Sequence, residues 1–182
     1  GEASGSLVSL GDLGYQPIVA RKLSAETCRK FNYGCTNGQQ VACYFDADGT
    51  LVYQKTRDKD KNFRVLKGDL VSTPMKNLLF GRNIWGDLGG QKLLITEGEI
   101  DCLSAYEALG SLGFHVVSVP CGAQGALDAI KFNLDWIDRY QAVYLGFDND
   151  DAGRKATSDV CQSVGSSKFY QMNMPPDLKD IN

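Results

Sequence analysis

Between residues 91 and 174 the chain repeats one pattern, a short apolar run followed by a helical stretch. Lys92 to Thr96, Val116 to Val119 and Ala142 to Phe147 read as strands, and a fourth is expected over Lys168 to Met174. Ile100 to Leu109, Leu127 to Ile137 and Asp151 to Val164 read as the intervening helices, with Gly110 and Gly165 as stop signals. Strands that are apolar nearly throughout leave no face for water, so both sides of their sheet need cover. The alternating helices supply it. The expected fold class is α/β, a mainly parallel four-stranded sheet flanked by helices.

The first half has a different texture. Ser24 precedes a short amphipathic stretch from Ala25 to Tyr33 that stops at Gly34, the bracket of a two-turn helix. Val41 to Phe45 and Leu51 to Gln54 flank Asp46-Ala47-Asp48-Gly49-Thr50, which predicts a hairpin, and Phe63 to Leu66 adds a third strand. Gly86, Gly89 and Gly90 crowd one short segment, where a hinge between lobes is expected. The expected organisation is therefore a flexible linker or tail over 1–14, a smaller basic α+β lobe over 15–90, and the parallel-sheet lobe over 91–182. The opening Gly1-Glu2-Ala3-Ser4-Gly5-Ser6 lacks a basic start and an apolar core, and reads as linker rather than secretory signal.

Composition removes several functional classes. With 43% hydrophobic and 23% charged residues the chain is ordinary globular protein, not a disordered tract or coiled coil. Its longest apolar runs are too short to cross a bilayer, so no membrane role is expected. The net charge of −3 gives no global attraction to nucleic acid, and any such role needs a local basic patch. The six cysteines form no C-x-x-C pair and the chain has one histidine, which excludes a zinc ribbon and any zinc in this chain. They read as reduced, buried thiols, and a cytoplasmic location is expected. The lone His115 opens a strand, so Ser-His-Asp chemistry is a poor fit.

Carboxylates mark the strand ends. Glu97 follows the first strand directly, and Asp148 and Asp150 follow the third. In an open parallel sheet, ligands bind at the carboxyl ends of strands, so both clusters belong on one edge. Three carboxylates converging without compensating charge call for a cation. Hard oxygen donors without His or Cys select Mg2+ or Mn2+, and such ions act on phosphoryl groups. Glu99, Asp101 and Asp151 have a simpler reading as acids complementing a helix dipole.

From Lys55 to Lys67 the basic residues are Lys55, Arg57, Lys59, Lys61, Arg64 and Lys67, against Asp58 and Asp60. The bland reading is a solvated hairpin edge guarded by lysines. Beside a phosphate-handling metal site, the same charges serve a triphosphate and a template track, the latter through Arg57 and Lys59. Tyr44, Phe45, Tyr53 and Phe63 interleave with this segment. They are expected mainly in the hairpin's core face, with stacking on template bases as the other reading. Cys121-Gly122-Ala123-Gln124-Gly125 is either a plain βα turn or a loop that turns backbone N–H groups toward a phosphate or template.

Thr96-Glu97-Gly98-Glu99-Ile100-Asp101 and Phe147-Asp148-Asn149-Asp150-Asp151-Ala152-Gly153-Arg154-Lys155-Ala156 together resemble the TOPRIM module of primases, topoisomerases and some nucleases. Gln54 to Phe63, Leu79-Phe80-Gly81, Ala20 to Cys28 and the closing Leu178-Lys179-Asp180 resemble, in collinear order, the RNA polymerase domain of T-odd-type phage primase–helicases. The resemblance implies primer synthesis on single-stranded DNA from ribonucleoside triphosphates, with Mg2+ or Mn2+, two ions during catalysis, held by Glu97, Asp148, Asp150 and Asp180. It also implies nucleotide binding by Arg21, Lys55, Lys61, Arg64 and Lys76. Arg64 stands where this family carries Lys. The implied partners are a zinc-binding template reader and a hexameric helicase, in the host cytoplasm during infection. Neither part is expected here, because the zinc spacing and the G-x-x-x-x-G-K-[ST] loop are missing; excision from a longer protein is the expectation. A TOPRIM nuclease and a non-catalytic DNA-binding module stand as alternatives. A topoisomerase fragment would need a nucleophilic tyrosine on a further domain.

Overall fold

The computed structural model describes residues 5–165 and 168–174. The first lobe begins inside the expected tail, where Leu13 is buried and Gly14 exchanges backbone hydrogen bonds with Cys35. Turns of 3-10 helix at Leu10–Asp12 and Val19–Arg21 lead to helix α1 (Ala25–Lys30), whose N-cap Ser24 accepts the backbone N–H of Thr27 at 3.2 Å. Four antiparallel strands follow in simple meander order: β1 (Tyr33–Thr36), β2 (Gln39–Phe45), β3 (Leu51–Arg57) and β4 (Phe63–Lys67). The predicted hairpin is present, and the Asp46 carboxylate ties its turn by accepting the N–H groups of Asp48 and Thr50 at 2.9 Å. Helix α1 is shorter than expected because Tyr33 already belongs to β1. Asn37 and Gly38, both at positive φ, make the two-residue turn into β2.

The second lobe alternates β5 (Gly90–Thr96), α2 (Glu99–Leu109), β6 (Phe114–Ser118), α3 (Ala126–Phe132), α4 (Leu134–Ile137), β7 (Tyr140–Gly146), α5 (Asp151–Val164) and β8 (Phe169–Gln171). All four strands are parallel, in the order β6-β5-β7-β8. The helix expected over 127–137 breaks at Asn133. That side chain donates to the Asn77 carbonyl as well as to the Ala129 carbonyl, both at 2.8 Å, so a tertiary contact competes with helix continuity. The last strand is shorter than expected.

Side-chain alternation along the sheet sorts the core into two layers. Leu93, Ile95, Val117, Val143 and Leu145 pack with Ala126 and Ile130 of α3 and Ala156 and Val160 of α5. Leu94 and Val116 point the other way, onto Cys102, Leu103 and Ala105 of α2. The first lobe joins this second layer, through Phe31, Tyr33, Ala42 and Tyr44, so the two lobes share one core. Its centre is Phe80, fully buried, with the rings of Tyr44, Phe31 and Tyr33 at 5.6, 5.9 and 6.4 Å. Phe80 also exchanges backbone hydrogen bonds with Ser118 at the edge of the sheet.

The glycine-rich segment is not a loose hinge. Trp136 Nε1 donates to the Gly86 carbonyl at 2.9 Å and Arg139 donates to the Asp87 carbonyl at 2.6 Å. Gly89 sits at φ +76°, against the Arg139 backbone, where a Cβ would meet the carbonyl oxygen at 2.2 Å. Cysteine burial is mixed: Cys28, Cys43 and Cys102 are buried thiols, whereas Cys121 and Cys161 are exposed.

Because Phe80 serves both lobes, Phe80→Ala is expected to cost about 3–5 kcal/mol. Urea unfolding followed by circular dichroism should show one transition at lower midpoint. Two separated transitions in the wild type would contradict a shared core.

Candidate active site

Strand order sets the location. The connection β5-α2-β6 runs to one side of β5, while β7-α5-β8 runs to the other, so the order reverses between β5 and β7. A crevice opens at such a switch point, outside the strand ends. The register pairs Thr96 with Gly146, so β5 and β7 end level. Glu97 lies one residue beyond β5, and Asp148 two beyond β7.

The two residues meet. The backbone N–H of Asp148 donates to Glu97 Oε1 at 3.1 Å. Partial burial, with the nearby charges of Asp148 and Asp150 adding to it, pushes the Glu97 carboxyl up to about 7, despite that N–H bond pulling it down. Asp150 departs from the expected side-by-side pair. Its carboxylate turns onto α5 as the N-cap and accepts the Gly153 N–H at 2.7 Å. An aspartate in extended backbone before a helix satisfies an orphan donor this way. Among the described residues, no three acidic, His or Cys side chains converge as a closed ligand set. The donor chemistry still fits a hard divalent cation, since Mg2+ is commonly held by one or two carboxylates, with water and substrate phosphates completing its shell. Asp180 lies outside the described residues.

Gly153 emerges as a site residue that sequence reasoning passed over. A Cβ there would sit 1.9 Å from the Asp148 carbonyl oxygen, so the first turn of α5 can approach the acidic loop only without a side chain. The five-residue spacing from Asp148 to Gly153 is the available signal.

Across the lobe boundary lies a basic cleft. A cavity of about 320 Å3 is lined by Arg21, Lys55, Arg57 and Phe63 from the first lobe and by Gly98 to Asp101 from the second. An adjoining cavity of about 330 Å3 adds Lys59 and Lys61. The structure thus brings Arg21, Lys55, Arg57, Lys59 and Lys61 together beside the start of α2. Arg64 and Lys76 line neither cavity. Arg64 pairs with Thr56 on β3 whereas Lys55 pairs with Val65, which puts Arg64 on the opposite face of the sheet. Lys76 is exposed in a short helical turn beside α3.

One contact closes the floor of the cleft. Lys55 Nζ pairs with Glu99 Oε1 at 2.6 Å and donates to the Pro120 carbonyl at 2.6 Å. Tyr44 donates to the same Glu99 oxygen at 2.5 Å. Glu99 is therefore more than a dipole complement, because it fastens β2 and β3 to α2. Burial and the Glu99 carboxylate together hold the Tyr44 phenol protonated, well above its ordinary range.

Comparison with known proteins places this architecture. Residues 14–67 match the family described as the N-terminal α+β fold of bacteriophage T7 DNA helicase/primase, and residues 94–182 match the Toprim-like family. The DNA helicase/primase of enterobacteria phage T3 is 37% identical over 172 residues, which are 92% of this chain. The chain spans 29% of the length of that relative. The primase fragment of the bacteriophage T7 primase–helicase superposes with a TM-score of 0.81 at 36% identity, over 93% of this chain and 70% of that one. T7 primase domains solved with the lagging-strand DNA polymerase, an RNA/DNA hybrid and dTTP give 0.80 at 36% identity, over 94% and 87%. The E. coli primase catalytic core, at 16% identity and a TM-score of 0.64 over 89% of this chain and 66% of that one, shares the fold. The matches fall on the two lobes that frame the acidic crevice and its basic cleft, and the chain belongs to the T7-type phage primase family.

Proposed function

We propose that this chain is a primase catalytic domain that joins ribonucleotides into RNA on single-stranded DNA. The observation that carries the reading is the meeting of Glu97 and Asp148 at the sheet's switch point, beside a cleft lined by Arg21, Lys55, Arg57, Lys59 and Lys61. In the reaction a primer 3′-hydroxyl gives up its proton to solvent as its oxygen bonds to the α-phosphorus of a ribonucleoside triphosphate. The bond from that phosphorus to the bridging oxygen breaks, and pyrophosphate leaves.

Glu97, Asp148 and Asp150 would hold Mg2+ or Mn2+. Such a cation lowers the pKa of a hydroxyl and neutralises charge on phosphate oxygens. Arg21, Lys55 and Lys61 would bind the triphosphate and offset charge gathering on the leaving group. Lys55 is already oriented by Glu99 and Pro120 and needs little reorganisation on binding. Arg57 and Lys59, further along the same strand and turn, would meet the template backbone. A zinc-binding template reader and a hexameric helicase are the proposed partners, acting in the host cytoplasm, and primer initiation would depend on the former.

The test is labelled ribonucleotide incorporation on single-stranded DNA with Mg2+, with and without a complementary diribonucleotide. Extension of the diribonucleotide is expected. Metal-dependent degradation of the template without incorporation would favour a nuclease.

Two variants sharpen the assignment. Asp150→Asn keeps an N-cap and removes the charge, so synthesis should be lost with thermal stability unchanged. Asp150→Ala should lose synthesis and about 1 kcal/mol of stability as well. Normal synthesis in the Asn variant would restrict Asp150 to capping. Gly153→Ala should cost about 1–3 kcal/mol through steric overlap and displace the acidic loop. Full activity in that variant would contradict the tight approach of α5.

A further inference from the structure

Phe63 breaks the pattern of the hairpin aromatics. Tyr44 and Tyr53 are buried, as strand aromatics usually are, but Phe63 is 61% exposed at the start of β4. An exposed apolar side chain is unremarkable by itself. Phe63 differs in what surrounds it. Its cross-strand neighbour is Arg57, whose guanidinium carbon lies over the ring, 5.5 Å from the centroid. A cation on one side holds the ring and leaves its other face to solvent.

The backbone beneath the ring is braced. Asp58 accepts the N–H groups of Asp60 and Asn62 at 2.9 Å, and Lys61 sits at φ +65° to complete the turn. Phe63 follows this braced turn directly, so its position is set before any ligand arrives. A platform fixed in this way costs little ordering entropy on binding.

Phe63 also lines the same cavity as Arg21, Lys55 and the residues Gly98 to Asp101. One concave site therefore holds cations at the start of α2, next to Glu97, and an open aromatic face elsewhere on its wall. That combination fits a nucleotide, with phosphates toward the cations and a base on the ring. Stacking on an aromatic face is tolerant of base identity, because every base has a π-face.

We infer that the Phe63–Arg57 pair is the stacking platform for the base of the bound ribonucleoside triphosphate. The inference rests on the nucleotide-binding reading of this cleft and adds the residue that grips the base. The tolerance of stacking predicts that the platform contributes affinity without selecting one base.

Calorimetric titration of the full chain with Mg2+ separates the contributions, using ATP, GTP, inorganic tripolyphosphate and oligothymidylate as probes. Phe63→Ala should weaken ATP and GTP about ten-fold each and leave tripolyphosphate within about two-fold. Phe63→Trp should restore nucleotide affinity, which a merely structural role would not require. Unchanged ATP binding in Phe63→Ala overturns the inference. So does an equal loss for ATP and tripolyphosphate, which would reflect altered charge or folding. A loss confined to oligothymidylate would assign the ring to the template and overturn it as well. A wild-type chain that binds neither ATP nor tripolyphosphate would instead sink the primase reading itself.

Discussion

Neighbouring strands β5 and β7 end level, and that register is the constraint on which the site depends. Once Thr96 pairs with Gly146, the residues just beyond both strands have to emerge at one crevice. Carboxylates at those positions are pressed together whatever the rest of the chain does. Glu97 consequently sits partly buried beside Asp148, with its carboxyl raised to about 7. A fold that placed apolar or hydroxyl side chains there would relieve the repulsion. This one keeps its carboxyl groups together, which is the expected condition of a site that works with a cation.

The second constraint is the union of the lobes. Phe80 lies among Phe31, Tyr33 and Tyr44 of the first lobe while its backbone pairs with Ser118 of the second. Lys55, Tyr44 and Glu99 repeat the union in polar form at the cleft. Losing Glu99 alone would leave a shielded ammonium and a buried phenol without their shared acceptor, which is costly. The cleft is therefore bounded by a single packed body, and the basic residues of β3 keep a defined relation to the start of α2.

Much of this was legible in the residues. Apolar runs announced the buried parallel strands, and carboxylates at their ends announced the crevice, because both follow from local pattern. The hairpin at Asp46 to Thr50 was legible from its Asp-Gly step. Strand β1 is hidden because the helical pattern before it runs on through Tyr33, although Asn37-Gly38 is an equally good turn signal. The break at Asn133 depends on the carbonyl of Asn77, far away in sequence, and no local pattern reports it. Asp150 illustrates a deeper ambiguity, since one aspartate before a helix suits both a cap and a metal ligand. Arg64 is matched to a nucleotide-binding position by resemblance alone, and only the strand register shows that pairing with Thr56 puts it on the sheet face opposite Lys55. Phe63 was expected in the core by residue type, and only its position beside Arg57 at the rim of the cavity distinguishes it.

Magnesium binding tests the central claim most directly, without requiring template, partner domain or turnover. Calorimetric titration at pH 8, where Glu97 is ionised, should show Mg2+ or Mn2+ binding to the wild-type chain. Glu97→Gln and Asp148→Asn should each abolish it while leaving the circular dichroism spectrum unchanged. Equal metal binding in wild type and both variants would contradict a cation site at the switch point between β5 and β7.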